Sequence, residues 1–279
     1  MTKSSEIRIG IIGLGFMGRT HLAAYRSVIS AGAKARIAAV ADPNLERALT
    51  AGGGNLGSGT DAGSLARSIG DAERFSSAAA LLESGTIDLV SICTPTDTHV
   101  DLGIAAVNAG VHVLLEKPVA TSSTEVARLL KVAEASPKVL VMPAMCMRFW
   151  PGWPWLKDRI EEANDGRGDF GRFVGVTLQR LGSGPTWSRE FYSDPARTGG
   201  AITDLHIHDV DFALWCFGPP RMVTSVGTID HCSTLYRYAN GPHHVVAQGG
   251  WNHAAGFPFT MRFVAVFEDA TVVFDLSND

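Results

Sequence analysis

Ile7-Arg8-Ile9-Gly10-Ile11-Ile12-Gly13-Leu14-Gly15-Phe16-Met17-Gly18 is the stretch that decides the fold. Its first six residues form a short, mainly apolar run that reads as a buried strand. The run passes directly into a G-x-G-x-x-G turn that opens a helix. In such a turn the first glycine, Gly13, permits the tight reversal. The second, Gly15, removes a side chain where a pyrophosphate must approach the backbone. The third, Gly18, lets helix and strand pack closely. The helix N-terminus adds N–H groups and a partial positive charge for phosphates. Gly13, Gly15, Phe16, Met17 and Gly18 are therefore the expected cofactor-binding turn. Taken alone, the same glycines would also suit a ligand-free strand–helix turn, so the surrounding chain must carry the reading.

Working outward, strand-like and helix-like segments alternate. Residues 20–30 read as helix, 36–41 as strand, and 45–49 open a second helix. The Gly/Ser-rich residues 51–63 are expected as a surface loop. Residues 75–84 read as helix, 87–93 as strand, 100–109 as helix, 111–115 as strand, 124–135 as helix and 139–144 as strand. This βα rhythm of solid apolar strands predicts a parallel sheet with helices on both faces. The second strand ends at Asp42. A carboxylate there accepts hydrogen bonds from both adenosine ribose hydroxyls and repels a 2′-phosphate. No Arg or Lys follows in Asp42-Pro43-Asn44, so NAD is expected over NADP. The distance from Gly13 to Asp42 exceeds the generic ~20 residues, which a longer first helix and loop would absorb. Asp42 before Pro43 would equally serve as a helix N-cap.

Beyond about residue 150 the rhythm changes. A helix at 156–163 precedes a strand at 173–181, a polar Gly-rich segment and a helix at 204–217. Strand-like runs follow at 222–229, 245–251, 259–267 and 271–276, the last two joined by a hairpin turn at Glu268-Asp269. Successive strands without helices predict a second, α+β domain with a mostly antiparallel sheet. The expected division is residues 1–148 for a dinucleotide-binding (Rossmann) domain and 149–279 for a substrate-binding and oligomerisation domain.

Composition narrows the partners. The chain has 279 residues, 46% of them hydrophobic, enough to bury a core. Lys plus Arg is 24 against 28 for Asp plus Glu, a formal net charge of −4. That argues against a nucleic-acid partner held by bulk charge. No apolar run approaches the roughly 20 residues that span a bilayer, and the N-terminus does not read as a signal peptide. No membrane partner and a cytoplasmic location are expected. Cys93, Cys146, Cys216 and Cys232 are far apart and make no C-x-x-C, so neither a disulfide framework nor a zinc site is expected.

Two further strand ends carry unusual residues: Thr94-Pro95-Thr96-Asp97-Thr98-His99 after the 87–93 strand, and Glu116-Lys117-Pro118 after the 111–115 strand. A lysine beside a nicotinamide would polarise a substrate oxygen; a loop lysine at the surface has the same sequence signature. In the 204–217 helix, Ile207, Val210, Leu214 and Phe217 recur as a packed face. Asp204, His208 and Asp211 share another face, with Asp204 and His208 at i, i+4. A carboxylate so placed orients the imidazole and favours its protonated form, tuning a general base. Asp-x-His-x-His also looks like a ligand cluster. On a helix, however, His206 and His208 lie ~160° apart, so no metal is expected. Buried histidines satisfied by hydrogen bonds remain the other reading of this helix.

Together, Gly13-x-Gly15-x-x-Gly18-x-x-His21, Thr94-Pro95-x-x-x-His99, Glu116-Lys117-Pro118 and Gly199-Gly200-x-x-x-Asp204-x-x-x-His208-x-x-Asp211 resemble the glucose–fructose oxidoreductase/inositol dehydrogenase (Gfo/Idh/MocA) family. The resemblance runs in order along almost the whole chain. It implies a Rossmann domain followed by an α+β domain, and NAD(P)-dependent oxidation of a sugar, polyol or derivative. It implies Lys117 as the catalytic lysine and Asp204 with His208 as the catalytic pair. Thr94, Pro95, His99 and Glu116 match positions around the cofactor, and the Lys117-Pro118 bond matches a cis peptide of some members. Arg148, Lys117, Asp204 and His208 are the implied substrate contacts, although Met147-Arg148 stands where members often have Asn-Arg. Read from the residues themselves, Trp150, Trp153, Trp155 and Trp187 would stack on a sugar's apolar face as substrate contacts or pack between the domains, and Arg189, Tyr192 and Arg197 are further candidates to meet hydroxyls or a carboxylate. A homodimer or homotetramer is implied. The end at Asp279, dozens of residues short of typical members, implies an abbreviated or truncated second domain. Some relatives use held NAD for glycoside cleavage or elimination without net redox change, and a non-catalytic NAD-binding relative is a third reading.

Overall fold

The computed structural model describes residues 6–50, 62–186 and 188–276. The expected loop at 51–63 therefore falls mostly outside the described residues, as does Trp187. Contacts divide the chain into two compact units. The first runs to Ala144 and takes Thr186 and Ser188; the second comprises Met145–Pro185 and the chain from Arg189 on.

The first unit begins with β1 (Ile7–Ile12), α1 (Phe16–Ser30), β2 (Ala35–Ala41), α2 (Leu45–Thr50) and α3 (Ala62–Ile69). It continues with β3 (Glu73–Phe75), α4 (Ala78–Glu83), β4 (Leu89–Ile92), α5 (His99–Asn108), β5 (His112–Leu115), α6 (Ser123–Ala135) and β6 (Val141–Pro143). These strands form one parallel sheet in the order β3-β2-β1-β4-β5-β6. Ile11, Val40, Val90, Ile92 and Leu115 are completely buried, as expected of strands covered on both faces. The strand order reverses between β1 and β4, which is where open parallel sheets bind ligands, beyond the carboxyl ends of their strands.

One helix assignment is corrected here. Residues 75–84 are not continuous helix: β3 ends at Phe75, and α4 starts after Ser77, whose hydroxyl accepts from the Ala80 N–H. Three residues, Glu-Arg-Phe, are too few to show a strand period; pairing with residues 39–41 of β2 makes them a strand.

The second unit contains α7 (Trp153–Asn164), β7 (Phe173–Ser183), α8 (Arg189–Tyr192), α9 (Pro195–Thr198), α10 (Gly200–Asp204), α11 (Ile207–Phe217), β8 (Met222–Thr228), β9 (His231–Arg237), β10 (His244–His253), β11 (Thr260–Phe267) and β12 (Thr271–Asp275). Its sheet order is β12-β11-β7-β10-β9-β8. Every neighbouring pair is antiparallel except β7 with β10. The core packs Trp153, Leu156 and Ile160 of α7 and Phe212 of α11 against Val176, Leu178, Phe263 and Ala265 of the sheet. The Trp153 ring meets Phe212 and Phe263 edge-on, each with centroids 5.0 Å apart.

Sequence reading overlooked β9. Its alternation of His, Ser and Leu on one face with Cys, Thr and Tyr on the other is mixed in polarity, and only pairing with β8 and β10 defines it.

The single helix expected at 204–217 is also corrected. It is two helices, broken at Leu205-His206. Ala201 O accepts from both Leu205 N (2.9 Å) and His206 N (2.8 Å), a widened turn that resets the helix. The buried residues of α11 are His208, Asp209, Phe212 and Ala213; of the expected apolar face, Val210 and Phe217 pack partly buried against the core, whereas Leu214 is 43% exposed. The most buried side of α11 thus carries polar residues that hydropathy does not select. The cause is polar. His206 is driven into the sheet, its Nε2 3.3 Å from Thr234 Oγ1 on β9, and Gly249 on β10 makes room, since a Cβ there would stand 2.7 Å from the imidazole Nδ1. Asp209 turns inward to meet Arg180 of β7, with Arg180 donating to both its oxygens at 2.9 and 3.3 Å.

Candidate active site

At the end of β1, Gly13 has φ +88°, a left-handed backbone that glycine accepts without strain. A Cβ there would meet Cys93 O at 2.6 Å. A Cβ on Gly18 would stand 1.9 Å from Gly13 O. These two glycines are required by the protein's own packing. Gly15 is different: a Cβ there would meet nothing within 4 Å. Gly15 also precedes the first residue of α1 with no side chain capping that end. The turn is therefore tight where the chain touches itself and open where a phosphate would approach, which fits a dinucleotide. Phe16 and Met17 are the first two residues of α1.

Asp42 follows β2 and is tied to this turn. Its Oδ2 accepts from Leu14 N at 2.8 Å and its Oδ1 from Asn44 N at 2.8 Å. Asp42 thus organises its own turn and ties it to the glycine loop. Sequence reading missed Arg19. It is buried, donates from Nε to Leu14 O at 3.2 Å, and also donates to Ala48 O, bracing the same loop from behind.

The ends of β4 and β5 form a connected cluster. Thr94 Oγ1 bonds Thr98 Oγ1 at 2.6 Å. His99 is 1% exposed, with Nδ1 2.7 Å from Pro118 O and Nε2 2.8 Å from Thr94 O. Burial pushes its imidazole down from the ordinary value, against the two carbonyls. Both ring nitrogens are thus engaged by the backbone, so His99 joins the segments carrying Thr94-Pro95 and Lys117-Pro118. The Lys117–Pro118 peptide is cis. Glu116 is buried, and its Oε2 accepts from Lys117 N at 3.1 Å. Its Oε1 lies 2.8 Å from His21 Nε2. His21 Nδ1 lies 3.2 Å from Ser91 Oγ, which in turn lies 2.6 Å from Tyr25 OH. Burial alone would raise the Glu116 carboxyl. The His21 bond and the charges of His21 and Lys117 outweigh it and hold the group below the usual carboxylate range.

Within the second unit, Asp204 ends α10 and His208 lies in the first turn of α11. The intervening break puts Asp204 on a different helix from His208 and Asp211, so the three do not share one continuous face. Asp211 is held by Arg148, which donates from Nε at 2.9 Å and from its terminal nitrogen at 2.7 Å. The Arg148 guanidinium also lies 5.5 Å from the Trp215 ring centroid. Arg148, expected at the substrate, is thus engaged by a carboxylate. Trp153 is fully buried in the core, whereas Trp155 packs on Phe170 with centroids 6.2 Å apart. Tyr192 and Trp251 meet edge-on at 5.7 Å and line a cleft of about 470 Å³ with Gly184, Pro185, Glu190 and Ser193.

Among the described residues no group of three or more His, Cys, Asp or Glu side chains is placed to hold a metal ion, and no helix is long and apolar enough to cross a membrane.

Residues 7–144 match the family model described as the GFO_IDH_MocA oxidoreductase family, NAD-binding Rossmann fold. Residues 160–273 match the GFO/IDH/MocA C-terminal domain. The chain is 29% identical over 231 residues to inositol 2-dehydrogenase 2 of Saccharopolyspora erythraea, covering 83% of this chain and 59% of that one. It is 29% identical over 260 residues to inositol 2-dehydrogenase of Rhizobium meliloti, covering 86% and 68%. It is 28% identical over 228 residues to levoglucosan dehydrogenase of Pseudarthrobacter phenanthrenivorans, covering 79% and 54%. The matches thus span about three-fifths of these relatives' length. Among solved structures, UDP-N-acetylglucosamine 3-dehydrogenase from Acidithiobacillus ferrooxidans aligns with TM-score 0.73 at 25% identity, covering 98% of this chain and 78% of that one. The gentamicin-biosynthesis protein GenD2 in complex with NAD aligns with TM-score 0.77 at 22% identity, covering 99% and 74%, and supports the fold.

Proposed function

The chain belongs to the Gfo/Idh/MocA family of oxidoreductases, and from that premise we propose that it is an NAD-dependent dehydrogenase acting on a hydroxyl of a sugar, polyol or sugar derivative. The observation that carries the reading is the division of labour along one sheet. The open glycine turn and the Asp42 carboxylate stand at β1 and β2, and Glu116-Lys117 stands after β5. That order suits a dinucleotide lying across the strand reversal.

The bound nicotinamide supplies the hydride acceptor; the protein supplies position and charge. Gly13, Gly15, Phe16, Met17 and Gly18 hold the pyrophosphate, with Thr94, Pro95 and Glu116 toward the other end. His99 acts through the two backbone segments that it joins. Asp42 takes the adenosine ribose hydroxyls, and its negative charge disfavours a 2′-phosphate. Lys117 stabilises the oxyanion that develops on the substrate. His208 takes the hydroxyl proton, with Asp204 as its orienting carboxylate. Arg148, paired with Asp211, meets the substrate as part of that pair. The inositol 2-dehydrogenase relatives point to cyclic polyols as the first substrates to try.

The direct test is NADH formation over inositols, aldoses and uronic acids. At least one should give absorbance growing at 340 nm, and NADP should serve at least tenfold less well than NAD. Turnover of a glycoside without net NADH would replace the dehydrogenase reading with redox-neutral cleavage. Nucleotide binding with no turnover on any panel member would leave a binding protein. Equal use of NADP would remove the role given to Asp42.

The glycines separate folding from binding. Gly18→Ala drives a Cβ into the Gly13 carbonyl and should lower the melting temperature. Gly15→Ala should melt like the parent while weakening NAD at least tenfold. Thermal melts beside NAD titrations read both; a Gly15→Ala protein that binds normally would contradict the cradle.

A further inference from the structure

The Glu116 carboxylate is better fixed than a strand-end acid needs to be. Oε1 is held by His21 from α1 and Oε2 by the Lys117 amide. His21 is itself backed by Ser91, which is fully buried on β4, and by Tyr25. A carboxylate only accepts, so His21 Nε2–H donates to Glu116, and Ser91 and Tyr25 continue the chain behind His21 Nδ1. The Glu116 carboxylate lies in a poorly hydrated place, where a charge acts strongly on its surroundings. The titratable groups facing this carboxylate are His21, Lys117, His99 on α5 and Cys93 at the end of β4. Burial, then the Glu116 charge, pushes the Cys93 thiol well up, so it stays neutral.

The topology says which half of a dinucleotide feels this charge. With the adenosine ribose at Asp42 beyond β2 and the pyrophosphate on the turn after β1, the remaining half lies on the β4 and β5 side of the strand reversal. The oxidised nicotinamide ring carries a positive charge and the reduced ring does not. We propose that the buried Glu116 carboxylate, fixed by His21, biases the first unit toward the oxidised nicotinamide over the reduced one. The inference rests on the NAD reading above and assigns Glu116 and His21 as positioning and selectivity residues rather than catalytic ones.

The test is the ratio of dissociation constants, Kd(NADH)/Kd(NAD), measured calorimetrically on the full chain at pH 8. Glu116→Gln removes the charge and should lower the ratio about tenfold, whereas Glu116→Asp should hold it within about threefold of the parent. If Glu116→Gln fails to fold, the double variant His21→Leu/Glu116→Met replaces the charge and its imidazole partner together; it should show the same fall. A ratio within about twofold of the parent in a folded charge-removed variant overturns the inference. Failure of the parent to bind either nucleotide would instead overturn the NAD reading itself.

Discussion

Lys117→Ala is expected to lower turnover by about 10³-fold while leaving the NAD dissociation constant within a few-fold of the parent. The magnitude follows from what one positioned charge does for a developing oxyanion, about 10²–10³ in rate, and from the similar span of acid–base assistance. The near-constancy of NAD binding follows from placement. The phosphates are assigned to the turn after β1 and the ribose to Asp42, and the Lys117 segment touches neither. Its backbone is fastened instead to Glu116 and, through Pro118, to His99. Lys117→Arg should not rescue, because a planar fork does not replace a point charge on a flexible stem. Steady-state kinetics on the best polyol, with NAD titration of the same samples, decide the matter. Turnover within twofold of the parent would remove Lys117 from the chemistry.

The second large effect concerns stability. Arg180 and Asp209 form an ion pair almost wholly inside the second unit, with Arg180 2% and Asp209 0% exposed. Arg180 also lies 5.7 Å from the Trp153 ring centroid and 3.3 Å from Met147 Sδ. Asp209→Ala leaves a buried guanidinium unpaired and should cost about 3–5 kcal/mol, with Arg180→Ala similar. The double variant Arg180→Met/Asp209→Leu removes both charges and should cost far less than the two single changes added together. Denaturant unfolding of the full chain measures each. Additive losses would show that the pair does not act as a unit.

These outcomes separate two kinds of information in the chain. The fold class of the first half was legible from local pattern. Gly13, Gly15 and Gly18, a strand before and a helix after, and an acid ending the second strand form a local pattern, and backbone sterics enforce it locally. The same holds for the run of parallel strands, whose continuous apolar residues suit a sheet covered on both faces. The Glu116-Lys117-Pro118 triplet was visible too, but not the His21–Ser91–Tyr25 chain behind it, because those residues lie 66 to 95 positions away from their partners.

The second half shows the limit more sharply. Hydropathy chose Ile207, Val210, Leu214 and Phe217 as the inward face of one helix. Tertiary structure broke the helix at Leu205-His206 and buried His208 and Asp209 beside Phe212 and Ala213, leaving Leu214 exposed. A buried polar group goes wherever its partner is, and the partners here are Arg180 and Thr234, 29 and 28 residues away. Sequence by itself determined the fold class, the nucleotide turn and the residue types available for chemistry. Only the tertiary structure decided which face of α11 is buried, what holds Glu116 and what occupies Arg148. Apolar burial has a period that a linear pattern can display, whereas the pairing of buried charges depends on where the folded chain places distant residues.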